Sequence, residues 1–548
     1  MGFDNVLLMS HGIRFHRPTA FWTGTLAIVA GVTLHLPDFA GASAMHYHLA
    51  DMAMSTMMVS GMVLVAAGFV LATWGLLPPR IVDTAHRLPV QVRAMDEARL
   101  TPAHWGLMLV LAIALVIDTM KPATLGFVLP GMSEEYGISA ASGAWLLLCA
   151  LVGTTIGSVF WGVMADRIGR RAAILLASLM FIGTSICGTM PLFGANLLMC
   201  FLMGVAAGGM LPIVYALMAE SVPAGPRGWL VVLHGGLGTV GGTLAAAGCA
   251  ALFEPTYSWR VLWLLNLPTG LLMLVLNRWI PESPRFLLET GRTDEAREVL
   301  ARYGVTVEEI VEDPEIETQS LRRRQMRRGP LWSATWSELA MLFRGRFLGQ
   351  TVVVLTYGFA WGVVNWGFIA FLPTFLRRAG FDASGSSFLL FLSSVVAIPA
   401  TVLVAYAYGR WSSRKSMIVF AVASVVGTLG LAWFSPQADA NRVMIVGWLA
   451  LLYAATGGVI AMLSPYTAEV FPTRFRGTGS GLSAGSSKLG GLIAGVGSVS
   501  GLLAVSGNIV RPAVLVSIPM LAAALLVFAR GLETRGRRLE DLAQREYL

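Results

Sequence analysis

Charged residues are scarce in this sequence: they make up 13% of its 548 residues, about half of the ~25% usual in soluble domains. Hydrophobic residues make up 55%, and the mean hydropathy is +0.69. This balance argues against a soluble or a disordered protein. The G-x-x-x-x-G-K-[ST] loop of P-loop ATPases is absent as well, and we predict neither an enzyme nor a bound cofactor.

Cysteine is also scarce, and N-glycosylation sequons are missing. The four cysteines, Cys149, Cys187, Cys200 and Cys249, all lie in apolar stretches, so the sequence predicts no extracellular disulfide framework. No Asn-x-Ser/Thr triplet occurs. Both absences fit a protein of the bacterial inner membrane.

Lysine is rare even among the basic residues, because only Lys121, Lys415 and Lys488 of the 39 are lysines. With the N-terminus in the cytoplasm, most arginines fall in predicted cytoplasmic connections or tails, as the positive-inside rule expects. We therefore predict a multi-pass membrane protein with both termini in the cytoplasm. The net charge of +8 then needs no nucleic-acid partner, and we expect a monomer surrounded by membrane lipid.

Long apolar stretches dominate what remains. A membrane-spanning helix needs about 20 mostly apolar residues, and the sequence predicts fourteen such spans. An N-terminal extension with two extra spans covers residues 1–103. Six spans lie within residues 104–279, and six more lie within residues 347–530. A cytoplasmic linker, 280–346, joins these two blocks, and a cytoplasmic tail covers 531–548.

The two six-span blocks carry the same motif after their fourth spans. Residues 220–228 read E-S-V-P-A-G-P-R-G and residues 469–477 read E-V-F-P-T-R-F-R-G, so both contain E-x-x-P-x-x-x-R-G. A looser match relates Glu282 to Glu533, after the last span of each block. A parallel repeat of two six-helix halves is an architecture that transporters use.

Further motifs carry a family resemblance. Residues 162–171, G-V-M-A-D-R-I-G-R-R, resemble the loop between the second and third core helices of the major facilitator superfamily. Residues 281–286, P-E-S-P-R-F, and 533–540, E-T-R-G-R-R-L-E, resemble signatures of its sugar-porter and organic-ion branches. The resemblance implies an all-α membrane protein of two six-helix bundles, with 12 core transmembrane helices, a central cavity and alternating access. The two spans within residues 1–103 are additional to that pattern.

Ionisable side chains inside spans are costly and therefore indicate functional sites. Asp118 and Lys121 lie three residues apart in the first core helix and share one face. They form either a neutralising pair that holds helices together or a coupled site in which Asp118 exchanges a proton with substrate occupancy. Aromatic-acid/proton symporters of the superfamily carry D-G-x-D here, whereas this chain has D-T-M-K, which makes the site more cationic.

Lys488 lies about ten residues inside the eleventh core helix, which is too deep for easy snorkelling. Its surroundings, S-S-K-L-G-G, resemble the organic-ion transporters, in which this position is basic in anion carriers. Carried onto Lys488 alone, the resemblance implies an anionic substrate, and we predict that Lys121 and Lys488 together hold its anionic group. The alternative is a structural lysine that pairs with a carboxylate.

Two further sets of residues are candidates. Tyr357, Trp361 and Asn365 recur every four residues in the seventh core helix, where they form either a cavity wall for a flat apolar substrate or a packing face. The glutamine cluster that sugar porters carry in this helix is missing, which disfavours a sugar. His234 in the fifth core helix is either a packing residue or a second proton-coupling group beside Asp118.

Charged residues at the predicted cytoplasmic helix ends are expected to act as gates that pair in one conformation and separate in the other. These residues are Asp166, Arg170, Arg171, Glu220, Arg227, Glu469 and Arg476.

Histidine and methionine are concentrated between residues 35 and 62, and both suit copper. His46 and His48 are therefore candidate metal ligands. Methionine is also a common apolar filler of membrane helices, and in that alternative the segment binds no metal.

Together these features predict a secondary active transporter that takes up a small organic anion, aromatic ones included, coupled to protons. Two alternatives remain open. One is a proton-driven exporter of drugs or metal complexes, and the other is a membrane receptor that binds its ligand without moving it.

Overall fold

In a computed structural model the described residues are 15–77, 99–305, 341–345, 347–434, 441–471, 476–500 and 509–535, and their secondary structure is helical, without a β-strand. We number the α-helices of this described part in chain order. They are α1 Pro18–Thr33, α2 Leu36–Gly41, α3 Thr56–Leu76, α4 Pro102–Glu135, α5 Ala140–Ile168, α6 Arg170–Gly183, α7 Phe193–Ala207, α8 Met210–Ser221, α9 Ala224–Tyr257, α10 Val261–Leu264, α11 Asn266–Leu276, α12 Pro284–Glu289, α13 Thr293–Arg302, α14 Phe347–Gly367, α15 Leu372–Arg378, α16 Ala383–Tyr406, α17 Ser413–Trp433, α18 Arg442–Val470, α19 Arg476–Val499 and α20 Val510–Arg530.

Twelve segments of the described chain are helical, long and apolar enough to cross a membrane. The other two predicted spans are helical as well. The fourth core span consists of α7 and α8, which are separated at Gly208 and Gly209. The eleventh is α19, whose many glycine and serine residues make it less apolar than its neighbours. All fourteen predicted spans therefore correspond to helices.

Helices in this chain often begin at a short polar residue. The hydroxyl oxygen of Ser139 accepts a hydrogen bond from the backbone N–H of Ser142 at the start of α5, and Ser412 does the same for Lys415 at the start of α17. Each serine satisfies one of the N–H groups that the first helical turn leaves without a partner. These caps set where the spans begin.

Helices α4–α11 form the first bundle and α14–α20 form the second. The bundles meet where α9 packs along α16, α5 against α19, and α4 against α15. Within the second bundle α14 and α19 touch through their backbones, since a Cβ atom on Gly362 would lie 1.9 Å from the carbonyl oxygen of Ser487. A glycine at this position therefore fixes α19, the helix that carries Lys488, against α14.

Helices α1 and α3 form an antiparallel hairpin outside the two bundles. Gly24 and Gly31 of α1 face Gly68 and Gly61 of α3, and Gly75 of α3 faces the backbone of Phe21. Successive glycines in each helix are seven residues apart. A Cβ atom on Gly24 would lie 2.6 Å from the carbonyl oxygen of Gly68, and one on Gly31 would lie 2.6 Å from that of Gly61. No larger residue fits at these contacts, so we call these five residues the glycine seam.

The hairpin packs against α6 of the first bundle, and the loop after α2 is tied to the end of α4. The backbone N–H groups of Leu49 and Ala50 donate to the Glu135 carboxylate at 2.8 and 3.1 Å. The fully buried Arg260 binds the same carboxylate at 2.7 Å. Glu135 therefore joins the N-terminal extension to the first bundle.

Candidate functional site

The two ends of the helix bundles carry different charges. One end, which we call the basic end, holds Arg170, Arg227 and Arg414 in the first turns of α6, α9 and α17. The other end, which we call the opposite end, holds Glu135 and Arg377 at the ends of α4 and α15. The side chains that the sequence analysis placed inside spans lie between these two ends.

Three ionisable side chains lie near one another midway along the helices, and we call Asp118, Lys121 and Lys488 the central cluster. Asp118 is 5% exposed and Lys121 is 1% exposed, and Lys488 is partly buried. The Asp118 carboxylate interacts electrostatically with both lysines. Because Asp118 lies on α4 and Lys488 on α19, the cluster contains charges from both bundles.

Lys488 reaches from the second bundle to the first. Its Nζ atom donates a hydrogen bond to the carbonyl oxygen of Thr154 on α5, at 3.2 Å. An ammonium group has three N–H donors. Within the described residues, Lys488 uses one of them, in the hydrogen bond to Thr154. Lys488 therefore keeps donors with which it can hold an anion at the boundary between the bundles.

Lys121 points in another direction. Its Nζ atom lies 3.0 Å from the ring centroid of Phe181 on α6, so the ammonium faces an aromatic ring of its own bundle. Among the described residues, neither Lys121 Nζ nor Asp118 Oδ1 has a hydrogen-bond partner. The Lys121 ammonium thus faces a side chain of its own bundle, whereas that of Lys488 reaches the other bundle.

The aromatic face of α14 is largely occupied by packing. Tyr357 is fully buried, and its hydroxyl donates to the carbonyl oxygen of Met417 at 3.2 Å. The indole N–H of Trp361, which is partly buried, donates to the carbonyl oxygen of Thr456 at 3.1 Å. Asn365 is also partly buried. Of the three residues, Trp361 and Asn365 keep exposed surface with which to line a cavity.

His234 joins two helices of the first bundle. Its Nδ1 atom lies 2.9 Å from the carbonyl oxygen of Leu230, and its Nε2 atom lies 2.8 Å from that of Met108 on α4. Both ring nitrogens thus face acceptors, whereas a neutral imidazole has one N–H donor. His234 therefore connects α9 to α4, the helix that carries Asp118.

The charged residues of the basic end pair within the first bundle. Arg170 forms an ion pair with Glu220 at 3.1 Å. The Arg171 guanidinium donates to the side-chain and backbone oxygens of Asn277, both at 3.0 Å. Arg227 donates to the carbonyl oxygen of Val222 at 2.6 Å. The side chains of Asp166 and Arg476 lie outside the described part of the structure.

Glu469 of α18, in the second bundle, lies against the first bundle at the basic end. A Cβ atom on Gly228 of α9 would lie 3.1 Å from Glu469 Oε1. The other carboxylate oxygen accepts hydrogen bonds from Tyr408 at 2.7 Å and Thr534 at 2.6 Å. A charged residue of the repeated motif therefore lies directly at the boundary between the bundles.

Glu282 and Glu533 occupy equivalent places in the two bundles. Glu282 accepts hydrogen bonds from the backbone N–H groups of Arg170 and Arg171 at 2.8 and 3.3 Å, at the start of α6. Glu533 accepts one from the backbone N–H of Ser413 at 2.9 Å, at the start of α17. The loose sequence match between these glutamates thus reflects a shared structural role as helix caps.

An ion pair that the sequence analysis missed connects the bundles at the opposite end. Arg377 of α15 binds Glu254 near the end of α9, and Glu254 is 7% exposed. Two signals could have revealed the pair: Arg377 departs from the positive-inside pattern, and Glu254 is an acid in an apolar helix. Their separation of 123 residues hides the partnership from any local motif.

The candidate metal ligands His46 and His48 are exposed. Nδ1 of His48 lies 3.8 Å from the Glu135 carboxylate. Among the described residues, no group of three or more His, Cys, Asp or Glu side chains is arranged to hold a metal ion. The metal site therefore stays a sequence-based prediction.

Two similar six-helix bundles with a charged cluster at their boundary define a membrane transport protein. The chain belongs to the Major Facilitator Superfamily, whose model matches residues 107–495. The predicted all-α fold of two six-helix bundles with extra N-terminal helices is thereby confirmed, as is the prediction of a transport protein rather than an enzyme. The hairpin of α1 and α3 precedes the matched region.

The relatives include transporters of small organic molecules. The niacin transporter NiaP of Acinetobacter baylyi is 25% identical over 445 residues, which cover 80% of this chain and 96% of NiaP. The 4-hydroxybenzoate transporter PcaK of Pseudomonas putida is 26% identical over 446 residues, which cover 80% of this chain and 95% of PcaK. Among solved structures, the xylose transporter XylE from E. coli in a partially occluded inward-open conformation has a TM-score of 0.60 at 18% identity, covering 79% of this chain and 99% of XylE.

Proposed function

We propose that this protein takes up a small aromatic carboxylate together with protons, by alternating access. The observation that supports the proposal most directly is Lys488, which reaches across the boundary between the bundles to Thr154 and lies near Asp118. A cation held there by a neutral carbonyl oxygen is suited to bind an anion that both bundles must contact.

The named substrates of the relatives support this chemical class. NiaP is a niacin transporter and PcaK a 4-hydroxybenzoate transporter, and both compounds are planar rings that carry one carboxylate. In this chain Lys488 would bind the carboxylate, while Trp361 and Asn365 would contact the ring. Lys121 would act indirectly, because its ammonium faces Phe181 of its own bundle and its positive charge sets the charge balance around Asp118.

Asp118 would couple the substrate to a proton. When Asp118 is ionised, its carboxylate competes with the substrate carboxylate for Lys488. When Asp118 binds a proton, that competition ends and the lysine is released for the substrate. Proton and anion would therefore bind together, which is the linkage that a symporter needs.

The remaining parts of the proposal concern orientation and gating. The basic end would face the cytoplasm of a bacterial inner membrane, with both termini on that side, in agreement with the positive-inside rule. Arg170, Glu220 and Glu469 would hold that end together in one conformation and release it in the other. Residues 104–279 and 347–530 would move as two bodies joined by the linker, in a monomer surrounded by lipid.

The test is uptake of radiolabelled nicotinate and 4-hydroxybenzoate into proteoliposomes that contain the full chain, with an inside-alkaline pH gradient. We expect concentrative uptake that a protonophore abolishes. Removing a buried, hydrogen-bonded charge from a binding site costs about 2–5 kcal/mol, so Lys488→Gln should lower uptake by at least roughly tenfold. Lys488→Arg keeps the charge and should retain part of the activity.

Arg442→Gln is the matched control, because Arg442 is an exposed cation at the opposite end, at the start of α18. It should leave uptake unchanged. Saturable binding without flux would indicate a receptor, and gradient-driven efflux alone would indicate an exporter. Either result, or full uptake by Lys488→Gln, contradicts the proposal.

A further inference from the structure

A cavity of about 690 Å³ lies at the basic end of the second bundle. It is formed by the π-helical segment Ala407–Trp411, the first turns of α17, the end of α20 and the turn that follows α20. Of the residues described, none from α4 or α19 lines it. The cavity is therefore separate from the central cluster, and the proposed transport function does not use it.

The lining of this cavity is positively charged. It contains Arg414, Lys415 and Arg535 against one carboxylate, that of Glu533. Burial alone would raise the pKa of Glu533, but hydrogen bonds from Ser412 and Ser413 hold it below its ordinary value, so the carboxylate is ionised at neutral pH. Three cations and one anion leave the lining with two net positive charges.

The cations keep donors that the described part of the protein does not use. Arg414 donates to backbone carbonyl oxygens at the end of α20, including that of Phe528. Arg535 donates to the carbonyl oxygen of Trp411 at 2.8 Å. A guanidinium has five N–H donors and an ammonium has three. Lys415 is exposed, and none of the three cations forms an ion pair within the described residues.

Apolar side chains at the cavity place it at the surface of the bilayer. Trp411 is 49% exposed and Phe528 is 65% exposed, although both are large and apolar. They lie at the ends of two spans, the level at which tryptophan is enriched in membrane proteins. An occupant of this cavity must therefore offer negative charge toward water and hydrocarbon toward the membrane.

We propose that this cavity binds the phosphodiester headgroup of an anionic phospholipid, held by Lys415 and Arg535, with the acyl chains along Phe528 and Ile418. Basic pockets at the membrane surface bind such headgroups through charge. A soluble anion would satisfy the cations but would leave the exposed aromatic side chains without a partner. The combination of net charge and apolar rim thus favours a lipid.

The test is native mass spectrometry of the full chain in detergent, titrated with phosphatidylglycerol or with phosphatidylcholine of the same acyl chains. We expect tighter binding of phosphatidylglycerol. One cation near a membrane surface contributes a known amount to the binding of an anionic headgroup. Lys415→Gln should therefore weaken phosphatidylglycerol binding about fivefold, and Lys415→Gln combined with Arg535→Gln should weaken it about thirtyfold. Phosphatidylcholine binding should not change.

The matched control is Arg442→Gln combined with Arg511→Gln, which removes two exposed cations from the opposite end. It should keep the wild-type preference for phosphatidylglycerol. Equal affinity for the two lipids, or equal weakening by both double variants, overturns the proposal. Displacement of phosphatidylglycerol by millimolar inorganic phosphate would show a site for soluble anions and also overturns it. Because Lys415 is exposed, its single variant provides the same test if the double variant fails to fold.

Discussion

At the scale of single residues, the central cluster places buried charges of both signs in the middle of the membrane. Asp118 and Lys121 are almost fully buried, and a charge in the middle of a bilayer costs a few kcal/mol or more. Their mutual attraction offsets part of that cost, and Lys488 adds a cation from the other bundle. A substrate anion would replace the negative charge that Asp118 loses when it binds a proton, which is why Asp118 is the residue to test.

Asp118→Asn should separate transport from proton coupling. The amide has nearly the shape of the carboxyl group but exchanges no proton, so a bound anion would move without one. We expect the accumulation ratio of 4-hydroxybenzoate in proteoliposomes with a pH gradient to fall to about one, the level expected without a driving gradient. Counterflow, in which labelled substrate exchanges with unlabelled substrate, should continue.

The control for this change is Asp51→Asn, since Asp51 is exposed and its backbone φ of 61° suits asparagine. It should transport normally in both assays. Loss of counterflow together with accumulation in Asp118→Asn would show a structural role, and unchanged accumulation would exclude Asp118 from coupling.

The sequence reveals which ionisable residues lie inside the membrane spans, but it does not reveal where their side chains point. An ionisable residue inside an apolar stretch is visible in the sequence, so Asp118 and Lys488 could be singled out. The direction of a side chain is not visible: Lys121 faces Phe181, and Tyr357 is buried against α17. Such orientations depend on the neighbouring helices, which the chain brings together only when it folds.

At the scale of helices, close backbone contacts decide how the N-terminal hairpin is built. Helix positions followed from apolar length, but the break between α7 and α8 and the glycine seam did not. The seven-residue spacing of the glycines was a signal that could have revealed the seam. Because the backbones of α1 and α3 touch there, the hairpin should respond sharply to added side-chain volume.

Gly68→Leu should separate α1 from α3. Forcing extra atoms into a packed contact typically costs about 1–3 kcal/mol, and here the nearest atoms are the carbonyl oxygen of Gly24 and atoms of Ile28. Both helices of the hairpin pack against α6, so their separation should displace α3 from α6. The measurement is a disulfide cross-link between Val65→Cys on α3 and Gly183→Cys on α6, where a Cβ atom would lie 2.9 Å from Val65 Cγ1. We expect the cross-link in the parent chain and its loss when Gly68 is leucine.

Gly41→Ala is the control within the same extension, since a Cβ atom there meets nothing within 4 Å. It should leave the yield of the cross-link unchanged. An unchanged yield in the Gly68→Leu chain, measured on the monodisperse folded fraction, would mean that the seam does not hold the hairpin together.

At the scale of the whole molecule, each end of the boundary between the bundles carries its own contact. Glu254 and Arg377 form an ion pair at the opposite end, while Glu469 meets Gly228 at the basic end. Alternating access requires that contacts at the two ends form and break in opposition, and a contact made in one conformation alone biases the population toward it. The Glu254–Arg377 pair should therefore stabilise conformations that are closed at the opposite end.

Glu254→Gln should shift the molecule toward opening at that end. A hydrogen bond to a charged group contributes about 1.5–3 kcal/mol, so its loss should change the ratio of open to closed molecules by roughly tenfold or more. Spin labels on Leu192→Cys and Val443→Cys, exposed by 54% and 79% at this end of the two bundles, report the separation by pulsed dipolar spectroscopy. The four native cysteines are replaced for this measurement.

We expect longer label distances in Glu254→Gln than in the parent chain, because the two bundles separate where the pair is lost. Exchanging the charges, with Glu254→Arg and Arg377→Glu together, restores the attraction and should restore the original distances. An unchanged label distance in Glu254→Gln would show that the pair does not bias the conformation. Failure of the exchanged pair to recover the original distances would show instead that the shape of the two side chains, and not their attraction, holds this end closed.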